Sequence, residues 1–350
     1  MAKTFKIGNR IIGPGYPAYI IAEMSGNHAG SIDNAIKIIH AAKEAGADCV
    51  KIQTYTADTL TIDCDNEYFH IDNGTWEGEN LYHLYEKAYT PWDWQPVLME
   101  EAKKVGIDFF STPFDNSSVD FLEKMGVEFY KIASFEIVDI PLLKYVASQK
   151  KPIIMSTGMS TEEEIKEAVE AVKSMGNNDI ALLRCASAYP AITDEMNLRT
   201  MMDMADKFDV VVGLSDHSMG SVGALTAIAL GGSIIEKHFC LSREIENPDS
   251  SFSMEPAEFK KMVDDIRQSE KALGTVSYGP TGQEKDNVKF RRSVFCVKDI
   301  KKGEVFTEEN IRIIRPGYGM KPKYYPEILG KTASSDIKRG EPLKKELINY

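Results

Sequence analysis

The chain has 350 residues, 43% of them hydrophobic, which is ample for a large core, and it carries a formal net charge of −12. That acidic balance argues against a nucleic-acid surface and suits a soluble enzyme; it leaves an anionic substrate open, because pocket charge is local. Five cysteines without CxxC spacing imply neither a disulfide framework nor a structural zinc site, and with no apolar signal core in Met1–Arg10 and no membrane-length run, the cytoplasm is the expected compartment.

Phe5–Ile12 reads as a short hairpin, and then a rhythm begins. Tyr19–Ala22 is a strand ending at Glu23, Ser31–Ala45 a helix closed by Gly46, and Cys49–Ile52 a strand running into KIQTY. The pattern repeats through Pro91–Val105, Asp108–Phe110, Ser117–Met125, Phe129–Ile132, Ile140–Ser148, Ile153–Met155 and Thr161–Met175, the last opening with a Thr161–Glu164 capping-box spacing. It continues through Ile180–Cys185 and Leu198–Phe208, then VVVGLSDHS and GGSIIEKHF joined by Met219–Leu230, and ends with Pro256–Leu273. Eight strands alternating with eight helices predict a (β/α)8 TIM barrel, whose usual length is about 250 residues. An open doubly wound sheet shares the alternation, but it would gather polar residues at one switch point. Here nearly every strand ends in a reactive residue, where barrel enzymes place their chemistry.

Two stretches break the rhythm. Residues 56–90 form a long insertion after the second strand, expected to act as a lid or specificity element. The C-terminal part turns to short strands with two similar KxGE-type turns, Lys302–Glu304 and Arg339–Glu341. The expected organisation is a catalytic barrel over 1–277 with its N-terminal hairpin, a linker over 278–289, and a small, mostly β domain over 290–350.

His217 and His238 end neighbouring strands, so they can converge on one divalent metal, with water, Asp216, Asp249 or the substrate filling the remaining positions. Manganese or magnesium suits such a site, with cobalt or iron as substitutes. Lys51 and Lys131, among Ser111, Thr112, Ser134, Ser156, Ser187 and Ser215, suit a compact anion such as phosphoenolpyruvate. A Schiff-base lysine at Lys51 or Lys131 is the alternative; Lys237 is a poor candidate, since alternation turns it away from Glu236 and His238. Glu23 can bind sugar hydroxyls or act as acid or base. His28 is expected to shape its loop. Trp76, Trp92 and Trp94 are expected either to stack on a sugar or to pack the insertion.

The ordered set IIAEMSGNHAG, KIQTY, STPF, KIASFE, STGM, GLSDHS and EKHF resembles the sialic acid synthases, and NIRIIRPGYGMKP with IKRGEPL resembles their antifreeze-like (SAF) domain. The resemblance implies a metal-dependent condensation of phosphoenolpyruvate with an amino-deoxy sugar. It assigns His217 and His238 to the metal, with Glu236 supporting metal and reacting centre. Lys51, Thr112, Lys131, Ser134, Ser156 and Ser215 fall to phosphoenolpyruvate, and Glu23, Gln53, Tyr189 and Asp249 to the sugar. It implies a domain-swapped homodimer in which Arg315 reaches the partner's site. Ser187 in CASAYP, the PDSSFSM stretch and the insertion depart from the N-acetylneuraminate branch and resemble the branch whose product is pseudaminic acid; legionaminate and N-acetylneuraminate remain the alternatives. The implied setting is bacterial.

Overall fold

A parallel strand covered on both faces alternates its side chains between two apolar environments, and here the alternation separates a barrel interior from a helical coat. The computed structural model describes residues 3–350. These divide into two compact units that part between Gly274 and Thr275. In the first unit, β1 (Tyr19–Glu23), β2 (Cys49–Thr54), β3 (Asp108–Pro113), β4 (Tyr130–Ile132), β5 (Ile153–Ser156), β6 (Ile180–Cys185), β7 (Val211–Asp216) and β8 (Ile234–His238) form one sheet. Its order is β3-β2-β1-β8-β7-β6-β5-β4, and the last strand pairs with the first in parallel, Ile234 beside Tyr19 and His238 beside Glu23. β3 and β4 lie side by side without a registered ladder, so the barrel is nearly closed.

The coat is α1 (Ile32–Glu44), α2 (Gln95–Val105), α3 (Asn116–Met125), α4 (Ile140–Ser148), α5 (Glu162–Ser174), α6 (Thr200–Phe208), α7 (Val222–Ala229) and α8 (Pro256–Leu273). Local chemistry sets several of the helix ends. Asp115 accepts from the backbone of Ser117 and Ser118 at the start of α3, and Gly126 closes that helix at φ +80°. The expected Thr161–Glu164 capping box opens α5. Each such cap is worth about 1 kcal/mol.

Along β1, Ile20 and Ala22 face the helices, with Val50 and Ile52 of β2 and Ile38, Ile39 and Ala42 of α1 in the same core. Tyr19 and Ile21 face inward, with Cys49, Phe110, Phe129, Ile154, Leu183 and Ile234. Phe110 stacks on Phe129 with centroids 4.0 Å apart. The N-terminal hairpin, Phe5–Ile7 paired with Arg10–Ile12, adds Phe5, Ile7 and Ile12 to this interior cluster. The lower barrel is therefore a mainly apolar plug, with Tyr19 Oη donating to Asp108 Oδ2 at 2.7 Å at its N-terminal end, and the lysines and glutamates of the interior stand near the C-terminal strand ends.

Outward parity holds for Lys237. It is 1% exposed, its Nζ lies 2.8 Å from Asp216 Oδ2, and it donates to Ser218 O at 2.5 Å. Asp216 Oδ1 also accepts from the Ser218 amide and hydroxyl at 2.9 and 2.6 Å. Asp216 is thus bound up in an ion pair on the outer face of β7 and β8, and its expected availability as a metal ligand is corrected.

In the second unit, Ser293–Cys296 pairs with Ile311–Ile314, and Thr332–Ala333 with Ile348–Asn349, around Val294, Phe306, Ile311 and Leu343. The two similar turns belong to a repeated Asp-Ile-Lys-(Lys/Arg)-Gly-Glu segment. Ile300 and Ile337 exchange two backbone hydrogen bonds of 2.9 Å. Asp336 accepts from the Lys302 amide and Asp299 from the Arg339 amide, both at 2.9 Å, so each copy caps the turn of the other.

At Gly213 in β7, a Cβ would stand 2.3 Å from Ile234 O and 2.8 Å from Leu183 Cδ2. Gly213→Ala is expected to destabilise the barrel by about 1–3 kcal/mol through overpacking. Chemical denaturation followed by circular dichroism reads this directly, and an unshifted midpoint contradicts the close approach.

Candidate active site at the barrel mouth

Extending the inward columns by one or two residues past the plug replaces carbon with charge. Glu23 follows Ile21, Lys51 follows Cys49, Lys131 follows Phe129 and Glu236 follows Ile234, and the register sets Glu23 beside Lys51. All four are nearly dry, at 1%, 3%, 2% and 5% exposure. Lys51 Nζ lies 2.8 Å from Glu23 Oε2 and 3.5 Å from Glu236 Oε1, and it donates to Thr112 Oγ1 at 3.1 Å. Lys131 Nζ stands 3.6 Å from Glu236 Oε1, and Gln53 Nε2 donates to Glu23 Oε1 at 2.9 Å. Burial raises the Glu23 carboxyl, aided by Glu236 and partly offset by Lys51. Burial pushes Glu236 the same way, but Lys131, Lys51 and His217 outweigh it and hold it below the usual value. Lys131 is lowered, mainly by burial, while Glu23 and Glu236 carry Lys51 upward against the same penalty.

Hydroxyls ring this quartet. Ser134 Oγ accepts from the Gly158 amide at 3.1 Å. A Cβ on Gly158 would meet Ser187 Oγ at 2.0 Å and Ser134 Oγ at 2.8 Å, so the loops after β4, β5 and β6 converge there. Ser215 is buried in register with Cys185 on one side and Glu236 on the other. Ser156 Oγ is buried without a hydrogen-bond partner among the described residues. Ser111 instead serves the wall, donating to Ile52 O at 3.1 Å with Thr54 Oγ1 2.6 Å away.

His217 and His238 are brought together, with ring centroids 5.4 Å apart. His217 Nδ1 faces Ala186 O at 3.2 Å and Cys185 Sγ at 3.7 Å. A carbonyl partner fixes the proton on Nδ1 and leaves the Nε2 lone pair for a ligand. His238 Nδ1 is buried and has no partner among the described residues. Burial, His217 and the lysines hold His238 well below the usual imidazole value. Burial also pulls His217 down, but Cys185 more than offsets it and the net shift is upward. Burial lifts the Cys185 thiol, and His217 reverses that, bringing it down to about 6. Among the described residues no three His, Cys, Asp or Glu side chains form a metal cage; the donor set is two imidazoles with open positions. With metal–nitrogen bonds of about 2 Å, rings sharing one ion have centroids roughly 5 Å apart, so this pair fits one.

On the outer side, Asp249 Oδ2 accepts from the Gly26 amide at 2.9 Å, and burial raises its carboxyl. Tyr189 packs on His217 at 4.3 Å between centroids, and Phe252 on His238 at 5.0 Å. Asn27 donates to Ser253 Oγ at 2.9 Å. His28 Nδ1 accepts from the Gly30 amide at 3.1 Å, and burial lowers it to about 4, in keeping with a loop-shaping role. Trp92 and Trp94 pack on Phe121 and His28. Arg315 is exposed in the second unit, just past strand Ile311–Ile314.

Three residues escaped the sequence reading. Cys185 shares the inward parity of Ala181 and Leu183, and counting in twos along β6 finds it. Glu136 lies in the turn after β4 with Oε2 buried and unpartnered among the described residues, and burial pushes its carboxyl up to about 7. Phe252 sits in a short 3-10 turn, Ser250–Phe252, that carries no periodic signal.

The NeuB family matches residues 38–278 and the SAF domain matches 291–349. Pseudaminic acid synthase of Campylobacter jejuni serotype O:2 is 49% identical over 93% of this chain and 95% of its own length. That of Helicobacter pylori is 44% identical over 94% and 97%. A crystal structure of N-acetylneuraminic acid synthetase from Leptospira borgpetersenii in complex with citrate superposes with a TM-score of 0.74 at 32% identity, covering 82% of this chain and 96% of that one. With its barrel and its C-terminal unit both matched, the chain belongs to the NeuB family, the sialic acid synthases.

Proposed function

We propose that this chain is a pseudaminic acid synthase, a transferase that condenses phosphoenolpyruvate with 2,4-diacetamido-2,4,6-trideoxy-L-altrose and water to give pseudaminic acid and phosphate. The substrate assignment follows the pseudaminic acid synthases at 44% and 49% identity. The observation that carries the chemistry is the buried quartet. Two ammonium groups and two carboxylates sum to no net charge, so the lysines are already paired when the site is empty. Phosphoenolpyruvate adds a carboxylate and a phosphate of about −1.5 to −2. Lysines and hydroxyls supply directed hydrogen bonds, but a further positive charge is needed to balance the ligand. A divalent cation, manganese or magnesium, held by His217 and His238 would offset most of that charge and would polarise the sugar aldehyde as a Lewis acid.

The chain's own groups do the rest. Thr112, Ser134, Ser156, Ser187 and Ser215 offer hydroxyls to the phosphate and carboxylate, and Lys51 and Lys131 neutralise them. As Lys51 turns to the anion, Glu23 loses the partner that lowers its pKa. Its carboxyl, oriented by Gln53, then suits proton exchange at the sugar hydroxyls or aldehyde oxygen. Glu236 stays ionised and steadies the lysines. Tyr189 and Asp249 flank the sugar. Carbon 3 of phosphoenolpyruvate bonds to the aldehyde carbon, water supplies the oxygen that adds at carbon 2, and the carbon 2–oxygen bond to phosphate breaks.

The assembly we propose is a domain-swapped homodimer in the bacterial cytoplasm, with the barrel over 1–277, a linker over 278–289, the antifreeze-like domain over 290–350, and Arg315 serving the partner's site. Loops following β4 to β7 expose Phe135, Val138, Met159, Ile192 and Met219, an apolar rim that suits cover by a second copy. No helix among the described residues is long and apolar enough to cross a membrane.

The first test measures phosphate release from phosphoenolpyruvate with Mn2+ and three acceptors: the diacetamido-trideoxy-L-altrose, N-acetylmannosamine, and the diacetamido-trideoxy-mannose. Release with the altrose is expected; release only with a mannose-configured sugar replaces the substrate by that of the neuraminate or legionaminate branch. His217→Ala is expected to abolish metal-dependent turnover, and calorimetric titration should show lost Mn2+ affinity; near-normal binding removes His217 from the ligand set. Metal binding needs neutral imidazole. His217 is raised above its ordinary value and gains its proton first as pH falls, whereas His238 stays neutral well below it. Mn2+ affinity of the wild type should therefore weaken as pH is lowered toward 6, and constant affinity from pH 8 to 6 contradicts the assignment.

A further inference from the structure

The insertion between β2 and α2 does more than connect them. Its tip folds back on itself, with Ile71 bonded to Glu79 at 3.0 Å and Gly78 to Ile71 at 2.8 Å along the backbone. Asn80 pins the base, donating to Cys64 O at 2.9 Å. From this tip Trp76 Nε1 donates to Pro248 O at 2.8 Å, in the loop after β8, and Thr75 Oγ1 donates to Tyr189 O, in the loop after β6. A segment rooted on the second barrel strand thus crosses to loops of the sixth and eighth.

What it brings there is an aromatic face. Trp76 lies against Tyr189 with centroids 5.3 Å apart and meets Phe252 edge-on at 6.2 Å. Tyr189 and Phe252 are 5.1 Å apart. Since Tyr189 rests on His217 and Phe252 on His238, the wall runs without a break from the two histidines out to Trp76. The indole has one polar atom, its N–H, and that is committed to Pro248. The wall's outer end is therefore apolar.

An acceptor sugar reacting at its aldehyde has carbon 1 beside the histidines. Five carbon–carbon bonds of about 1.5 Å carry carbon 6 roughly 6 Å away in an extended chain. That distance leads along Tyr189 toward Trp76. A methyl group at that point buries apolar surface, whereas a hydroxymethyl group loses water without a donor or acceptor from the indole.

Building on the synthase reading above, we propose that Trp76 is a specificity-determining residue, its indole forming with the ring faces of Tyr189 and Phe252 an apolar wall that accepts a deoxygenated carbon 6 and rejects a hydroxylated one. The insertion is thereby a strap that reads the far end of the sugar.

The test compares two acceptors that differ by one oxygen, 2,4-diacetamido-2,4,6-trideoxy-L-altrose and its 6-hydroxy counterpart, with phosphoenolpyruvate and Mn2+. Wild type should favour the 6-deoxy sugar by about 10- to 100-fold in kcat/KM, the range open to an apolar pocket facing one hydroxyl. Trp76→Ala should bring that ratio to within about threefold by raising KM for the 6-deoxy sugar, leaving KM for phosphoenolpyruvate unchanged. Trp76→Phe, which keeps a ring, should retain most of the preference. A merely structural role would slow both acceptors alike. If Trp76→Ala does not fold, Trp76→Gln carries the same test, since it fills part of the space and offers the hydroxymethyl group a donor and an acceptor. An unchanged ratio in the variant, or equal use of both sugars by wild type, overturns the proposal. Phosphate release by wild type with N-acetylmannosamine but with neither altrose overturns the substrate reading itself, and is distinguishable because it appears before any substitution is made.

Discussion

Two ammonium groups and two carboxylates share the floor of the barrel mouth, and the rest of the unit is arranged so that none of them stands alone. An unpaired charge in so dry a place would cost several kcal/mol. Lys51 therefore needs Glu23 on the neighbouring strand, and Lys131 needs Glu236 from across the interior. Glu23 and Glu236 come from the first and last strands, which meet only because β8 pairs with β1. Charge pairing in the mouth and closure of the sheet thus support one another. The empty site is balanced, so an anion entering by itself would break two ion pairs without replacing the charge they neutralise. On the proposed reading, a divalent cation at the histidines would offset most of the anion's charge and so tie occupancy of the lysine end to occupancy of the histidine end.

Below the quartet the interior is mostly hydrocarbon, from Phe110 and Phe129 down to the hairpin residues Phe5 and Ile12. That plug lowers the local dielectric and strengthens every interaction above it. Outside the sheet, Lys237 and Asp216 clamp β7 to β8 from the helical side. Those two strands carry His217 and His238, so a pair pointing away from the site fixes the spacing of the two imidazoles inside it. The lack of a side chain at Gly213 serves the same end, since it lets the same two strands approach closely.

Much of this was legible because a strand has a period of two. Parity along YIIAE, CVKIQT and IIEKH separates coat from interior, places Glu23, Lys51, Gln53, Glu236 and His238 in the mouth, and turns Lys237 out of it. The same rule, applied to β7, turns Asp216 outward; treating it as a spare metal ligand overlooked its parity with Leu214. Applied to β6 it makes Cys185 a neighbour of His217 rather than filler. Where the chain leaves the strands the rule lapses. Glu136 and Phe252 sit in turns whose backbone directions are set by contacts made elsewhere in the fold, and no spacing announces them. The insertion is the extreme case: its length marks it as unusual, but whether Trp76 meets the site depends on hydrogen bonds to Pro248 and Tyr189, residues more than a hundred positions away.

This division between strand and loop has a chemical counterpart. The groups proposed for phosphate, carboxylate and metal stand on or directly after strands, where the ladders hold them and where substitution of one disturbs its paired neighbours. Of the groups proposed for the sugar, Glu23 and Gln53 stand on strands, whereas Tyr189, Asp249, Phe252 and Trp76 stand on loops. A change there alters the shape of the wall while leaving the charge quartet and its register intact. On the proposed reading, these loops are where the acceptor sugar can change while the buried quartet keeps its register. Ser250, in the turn that carries Phe252, falls on the side of the site where variation costs the barrel least, whereas Ser187 stands among the hydroxyls beside Ser134 and Gly158.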